Sequence, residues 1–372
     1  MMLSGVMIVS LLGAAGGWMI SFAPDESYSS SYPWSGTPGR PFSTVPIPIP
    51  IRWFLITKDR PPQEIYFNNA SHFSSCGFDF TKRTCVIIHG YTQSAMEPWI
   101  NNMCQELTTH QNVNCVALDW SSGSLTFYAQ AVSILRYVGR QLARALSFLE
   151  LVHNYPAFNV HLIGHSLGCH IAAYAGKCQR NVDRITALDP ARPFFEGEAE
   201  VVRLTSRDAR FVDVIHSNAK DLLQLGLGYI SPIGDVDFYP NGGQNMPECP
   251  DVSSIQNTVL CLLSTMAGPL NCSESFQAKF VGCEELLKDV ILTFEELKEK
   301  LYEGFCSHFQ SILYFTNSIG DSKKYAACPC DPVGNCLQGI PEPCAEEERR
   351  HMGYHARPPS SSEPQTFTLS TT

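Results

Sequence analysis

Runs of apolar residues recur through the middle of the chain and alternate with stretches whose apolar positions fall three and four apart. Arg52-Trp-Phe-Leu-Ile-Thr57, Cys85-Val-Ile-Ile-His89 and Asn114-Cys-Val-Ala-Leu-Asp-Trp120 read as three strands. Phe127 to Val152 has the spacing of a long helix. Asn159-Val-His-Leu-Ile-Gly164 is a further strand, followed by a small-residue helix over Cys169 to Lys177. Asp183-Arg-Ile-Thr-Ala-Leu-Asp189 and Phe211-Val-Asp-Val-Ile-His216 add two more strands. Strands this continuously apolar bury both faces, which predicts an α/β fold with a mostly parallel sheet covered by helices on each side. Sites in such sheets form at the carboxyl ends of the strands.

Outside this block the pattern changes. Met1 to about Ala23 is apolar and reads as a signal peptide, with an uncleaved N-terminal anchor as the competing reading, so the mature protein is expected to be secreted, with no stable transmembrane segment. Residues 24–48, rich in Ser, Tyr, Pro and Gly, read as a disordered leader, and the folded part is expected from Ile49. Cysteines at 249, 261, 272, 283 and 306 punctuate residues 249–306. Within them, Leu287, Ile291, Phe294, Leu297 and Leu301 form an apolar helical stripe opposite Glu295, Lys298 and Lys300. A surface helix with its stripe in the core explains that pattern, and so does a lid. Residues 328–344 are cysteine-rich, and 358–372 read as a disordered Ser/Thr/Pro tail.

Composition narrows the function. A net charge of −10 argues against nucleic acid and against electrostatic adsorption to anionic membranes, so a lipid surface would be held by apolar contacts. Fifteen cysteines behind an apolar leader point to an oxidising compartment, with an odd one left over, for which buried Cys169 is the candidate. In that setting the cysteine-rich end forms disulfides rather than a metal site, and Cys330–Cys336 is the expected pair. Asn69-Ala-Ser and Asn271-Cys-Ser are glycosylation sequons.

The chemistry centres on Gly164-His-Ser-Leu-Gly168, placed between a strand and a helix as a nucleophile elbow requires. Ser166 is the candidate nucleophile, and the Leu167 amide at the helix N-terminus faces developing negative charge. A serine needs an imidazole to take its proton and a carboxylate to fix the imidazole's tautomer. In this fold they follow in the order Ser, Asp, His. Asp189 ends a strand and precedes Pro190, which ranks it above Asp213 and Asp119. His308, in an expected loop far downstream, is the candidate base, with His216 as rival; His165 and His170 lie too close to the elbow. The Tyr91 amide, after His89-Gly90, is the second oxyanion donor.

Gly164–Gly168, Thr186-Ala-Leu-Asp-Pro-Ala191, Phe211–His216, Asp237-Phe-Tyr-Pro-Asn-Gly-Gly243 and Cys306-Ser-His-Phe-Gln-Ser311 together resemble the pancreatic-lipase family of secreted triacylglycerol lipases and phospholipases A1. The likeness runs from Ile49 to Phe315. It implies an α/β-hydrolase with a triad of Ser166, Asp189 and His308, oxyanion amides at Tyr91 and Leu167, and His216 as a structural residue. It also implies Cys104–Cys115 and a lid closed by Cys249–Cys306, here longer than in digestive lipases. The family's structural calcium maps to Glu200, the Arg203 carbonyl, Thr205 and Asp208, but Thr205 replaces an acidic ligand and leaves fewer charged oxygens for a hard cation. No cofactor is needed for the chemistry. Met352-Gly-Tyr-His-Ala356 resembles the end of the family's catalytic domain, placing that domain at 49–357 without the C-terminal β-sandwich. The expected function is hydrolysis of lipid esters at an interface, triacylglycerol or a mixture with phospholipid. The alternatives are a phospholipase A1 acting on phosphatidylcholine-type lipids and a catalytically silent lipid-binding protein.

Overall fold

The computed structural model describes residues 8–10, 19–23, 26–29, 31–35, 37, 46–67, 73, 75–253, 256–257, 259–260, 302–330, 336–338, 343–359 and 364–371. Within the segment read as a signal peptide and the start of the leader, β1 (Ile8–Ser10), β2 (Met19–Ala23) and β3 (Glu26–Ser29) pair antiparallel. The central sheet runs through β4 (Arg52–Thr57), β5 (Arg60–Glu64), β6 (Thr84–Ile88), β7 (Asn114–Asp119), β8 (Val160–His165), β9 (Arg184–Leu188), β10 (Val212–Ile215), β11 (Val236–Pro240), β12 (Ala326–Pro329), β13 (Arg350–His351) and β14 (Gln365–Leu369). Among the described residues its order is 13-12-14-11-10-9-8-6-7-4-5. From β14 across to β7 neighbouring strands are parallel; β4 and β5 at one edge and β12 and β13 at the other are antiparallel. Pro61 and Pro62 suit β5 to the edge, where no further strand needs their missing amides.

Alternation along the strands builds two cores. Trp53, Leu55, Val86 and Ile88 face a layer that includes α3 (Tyr128–His153) and α4 (Leu167–Cys178). Phe54, Ile56, Cys85 and Ile87 face α1 (Pro98–His110) and α5 (Cys306–Ser318). The short α2 (Ser121–Ser124) bridges β7 and α3. The predicted helix-covered sheet is present, and its parallel strands aim their carboxyl ends at one rim.

Two expectations are corrected. The tail is not disordered throughout: β14 lies between β11 and β12, with Phe367 and Leu369 buried, so the domain continues well past residue 357. Ser/Thr/Pro composition hid an alternating Thr366-Phe-Thr-Leu369 pattern that fits a pleated surface. The leader is not disordered throughout either. Tyr28 is buried, the Arg136 guanidinium stacks 4.1 Å over Trp34, and its Nη1 donates to the Ser29 carbonyl at 2.9 Å. Those aromatics give the leader something to dock.

The expected pairs Cys104–Cys115, Cys249–Cys306 and Cys330–Cys336 are formed, as is Cys328–Cys344. Cys169 is free and buried; among the described residues Cys76, Cys85 and Cys178 are free too. The stripe from Leu287 to Leu301 and both sequon asparagines, Asn69 and Asn271, lie outside the described residues.

Candidate active site

β8 and α4 meet at Ser166, whose backbone takes φ +56° and ψ −120°. A non-glycine residue rarely adopts a positive φ, and here the surrounding packing enforces it. A Cβ on Gly164 would lie 2.5 Å from the Cys169 nitrogen, and one on Gly168 would lie 2.2 Å from the Ile88 carbonyl oxygen. Only glycine at both positions lets strand and helix close this tightly. Leu167 is the first residue of α4, so its amide has no acceptor within the helix and stands beside the serine.

Asp189 follows β9 directly and is fully buried, with φ +45°. Its backbone neighbours bracket the elbow. The Ser166 amide donates to the Leu188 carbonyl at 3.0 Å, and the Ala191 amide donates to the Ser166 carbonyl at 3.2 Å. Asp189 Oδ1 accepts from the Ser217 and Asn218 amides at 2.7 and 2.9 Å, and Oδ2 lies 2.5 Å from His308 Nδ1. Gly228 makes room for this carboxylate: a Cβ there would sit 2.4 Å from Oδ1.

His308 is not in a loop, as the sequence suggested, but in the first turn of α5, which begins at Cys306 of the disulfide to Cys249. His165, the residue before the serine, donates from Nε2 to the His308 carbonyl at 3.1 Å, and the two rings lie 4.6 Å apart. Burial, followed by repulsion from any charge on His308, holds the His165 imidazole well below its usual range, so it stays neutral. The elbow thus touches Asp189 on one side and the His308 segment on the other. No hydrogen bond joins Ser166 Oγ to the His308 ring among the described residues; in substrate-free sites such bonds are often long and tighten around substrate.

The rival His216 is fully occupied. Its Nδ1 meets the Tyr229 carbonyl at 2.7 Å, its Nε2 meets Asp237 Oδ1 at 2.8 Å, and its ring stacks on Tyr239. Asp213 is likewise committed to Arg184 and Thr186.

Tyr91 sits in the turn after β6. Its hydroxyl donates to the Thr126 carbonyl at 2.8 Å, and burial pushes its phenol up to about 12. The turn is braced from below: Gln93 Oε1 accepts from the Gly90 amide at 3.0 Å, and Asp119 Oδ1 accepts from the Ala95 amide at 3.2 Å. Burial would raise the Asp119 carboxyl, but His89 and the amides of Ala95 and Ser121 outweigh it and hold it at about 2. At the base of the disulfide-closed segment, Tyr302 stacks on Phe309, and its hydroxyl reaches Gln93 at 3.4 Å and Glu97 at 3.3 Å.

The residues mapped to calcium are arranged differently from a metal cage. Lys177 Nζ lies 2.5 and 2.6 Å from the two Asp208 oxygens, Thr205 caps the 206–208 turn, and exposed Glu200 pairs with Arg207. Burial moves the Asp208 carboxyl up and the Lys177 amine down. Arg203 Nε donates to the Glu198 carbonyl.

Sequence reasoning missed the anchoring amides of Ser217 and Asn218 and the small residue at Gly228. The only signal was a polar Ser-Asn pair immediately after a strand that ends beside the site.

A mostly parallel, helix-covered sheet with a strained serine between strand and helix defines the α/β-hydrolase class. Within that class the Lipase family profile matches residues 25–280, and the chain belongs to that family. It is 34% identical over 370 residues to the pancreatic triacylglycerol lipase of Mus musculus, covering 97% of this chain and 72% of that protein. It is also 34% identical over 370 residues to the inactive pancreatic lipase-related protein 1 of Mus musculus, covering 97% and 71% respectively. A solved esterase from Pyrococcus furiosus is 16% identical, with a TM-score of 0.25 over 41% of this chain and 58% of that one.

Proposed function

We propose that this chain is a secreted serine hydrolase of lipid esters, acting on triacylglycerol or on triacylglycerol and phospholipid together. Ser166 attacks the acyl carbonyl, and His308 takes the hydroxyl proton and returns it to the leaving alcohol. Asp189 holds the imidazole with its proton on Nδ1 and stabilises the imidazolium that forms. The Tyr91 and Leu167 amides receive the oxyanion, and water then releases the acyl group. The observation that carries this reading is the 2.5 Å contact of His308 Nδ1 with buried Asp189, made beside a serine held at φ +56°. Secretion is supported by the apolar segment 1–23 and by four disulfides among the described residues. The lid expected between Cys249 and Cys306 lies mostly outside the described residues, and only the disulfide that closes it is described.

A second reading, a silent lipid-binding protein, draws on the likeness to a relative described as inactive. A fluorophosphonate probe separates the two. Labelling of the native chain that disappears in Ser166→Ala supports the hydrolase, and an unlabelled native chain supports the binder. Triolein emulsion and phosphatidylcholine vesicles then decide the substrate. Release of only the sn-1 acyl chain from vesicles, with triolein untouched, would make it a phospholipase A1.

A further inference from the structure

A structural calcium ion is coordinated by six to eight oxygens, several of them charged, in a cage the protein leaves open for it. Of the four mapped positions, the three that would offer side-chain oxygens, Glu200, Thr205 and Asp208, do not make such a cage. Asp208 is the one buried carboxylate of the set, at 5% exposure, and both its oxygens already face Lys177 Nζ, at 2.5 and 2.6 Å. Its Oδ2 also accepts from the Thr205 amide at 2.9 Å. Thr205 Oγ1 is used as a cap, accepting from the Arg207 amide at 3.3 Å. Glu200 is exposed and lies 2.9 Å from the Arg207 guanidinium. Among the described residues no group of three or more His, Cys, Asp or Glu side chains is placed to hold a metal. A divalent ion here would have to expel an ammonium or sit beside it.

We infer that Lys177 supplies the structural positive charge at this position, so that the fold needs no calcium. The ammonium belongs to the last turn of α4, where the helix's negative end favours a cation. It pins that turn to the 206–208 turn and so fixes the far end of the helix that begins directly after Ser166. The arrangement exchanges a diffusible ion for a covalently held one. Stability then does not depend on the calcium level or on chelators.

Thermal unfolding of the purified full-length chain tests this without reference to activity. The melting temperature is expected to agree within about 1 °C between millimolar calcium and excess EDTA, whereas a site with micromolar affinity would raise it by several degrees. Lys177→Met keeps the aliphatic stem but leaves a buried carboxylate unpaired, and is expected to lower the melting temperature by roughly 5 °C, with Lys177→Arg retaining most of the wild-type value. A wild-type protein whose melting temperature climbs with calcium overturns the inference, and so does a Lys177→Met protein that melts at the wild-type temperature. If the Met variant fails to fold, the wild-type calcium titration still decides.

Discussion

Asp189 gives its two oxygens to different partners: Oδ2 faces His308 Nδ1 at 2.5 Å, while Oδ1 is fixed by the amides of Ser217 and Asn218. Because those amides can only donate, they require an acceptor at Oδ1. In Asp189→Asn the amide oxygen would take that place and the NH2 would turn toward the imidazole. The ring would then have to accept at Nδ1 and carry its proton on Nε2, where it cannot take one from the serine. Turnover on a soluble ester is expected to fall by about 10⁴-fold with the melting temperature little changed. Near-wild-type turnover would mean that a different carboxylate serves the histidine.

Gly228→Ala attacks the same carboxylate from behind. The added methyl would lie 2.4 to 2.6 Å from the Asp189 carboxylate atoms. The backbone there cannot easily yield, because the Gly228 amide donates to the Asn218 carbonyl and Gly228 bridges Ala191. A displacement near 1 Å is enough to cost roughly 10²-fold in rate. The expected pattern is a large fall in kcat and in the rate of fluorophosphonate labelling, with KM much less affected. Unchanged labelling would show that the carboxylate need not stand where it does.

The sheet core and the elbow were legible because their signals are local. Short apolar runs rich in β-branched residues and bounded by turn residues mark buried strands, and Gly-His-Ser-Leu-Gly between a strand and a helix needs no distant partner to be recognised. His308 was harder, since nothing near it in sequence says that Asp189 will meet it 119 residues away; chain order and family likeness carried that expectation. Its placement on α5 rather than in a loop shows that an imidazole can be aimed from a helix's first turn. Helix α1 went unread although Pro98 opens it and Ile100, Met103, Cys104 and Leu107 line its buried face. The tail misled because composition was weighed over period. Supporting contacts such as Ser217, Asn218 and Gly228 depend on tertiary proximity, and beyond the polar Ser-Asn pair after its strand no sequence pattern announces them.

Acid should loosen the turn that carries Tyr91, through Asp119. Its carboxyl, at about 2, lies below the usual 3.8, so its stabilising effect is fully present above about pH 4 and is lost as the pH falls toward 2. The shift corresponds to roughly 2 kcal/mol. Asp119→Asn, which gives up that charge, is expected to be less stable than wild type near neutrality. The gap should narrow as denaturant melts are repeated down to about pH 3. A gap that stays constant with pH would show that the carboxylate's charge is not what braces the turn.

Phe367 lies near the end of the chain yet should behave as a core residue. It is 3% exposed, its ring centroid is 5.7 Å from that of Phe238, and it sits in register with Phe238 on β11 and Pro329 on β12. The Cys330 amide donates to the Thr366 carbonyl at 2.9 Å, so the strand also anchors the disulfide Cys330–Cys336. Removing the ring in Phe367→Ala leaves a cavity between two strands that cannot collapse without breaking their ladders, at a cost of about 3–5 kcal/mol. For a chain of this size that is a fall of roughly 6–10 °C in melting temperature. Truncation after residue 357 should be worse, because it exposes the parallel edge of β11 and leaves Phe238 without a neighbour on that side. A truncated chain that folds and melts like the full one would show that β14 is an ornament of the sheet rather than part of it.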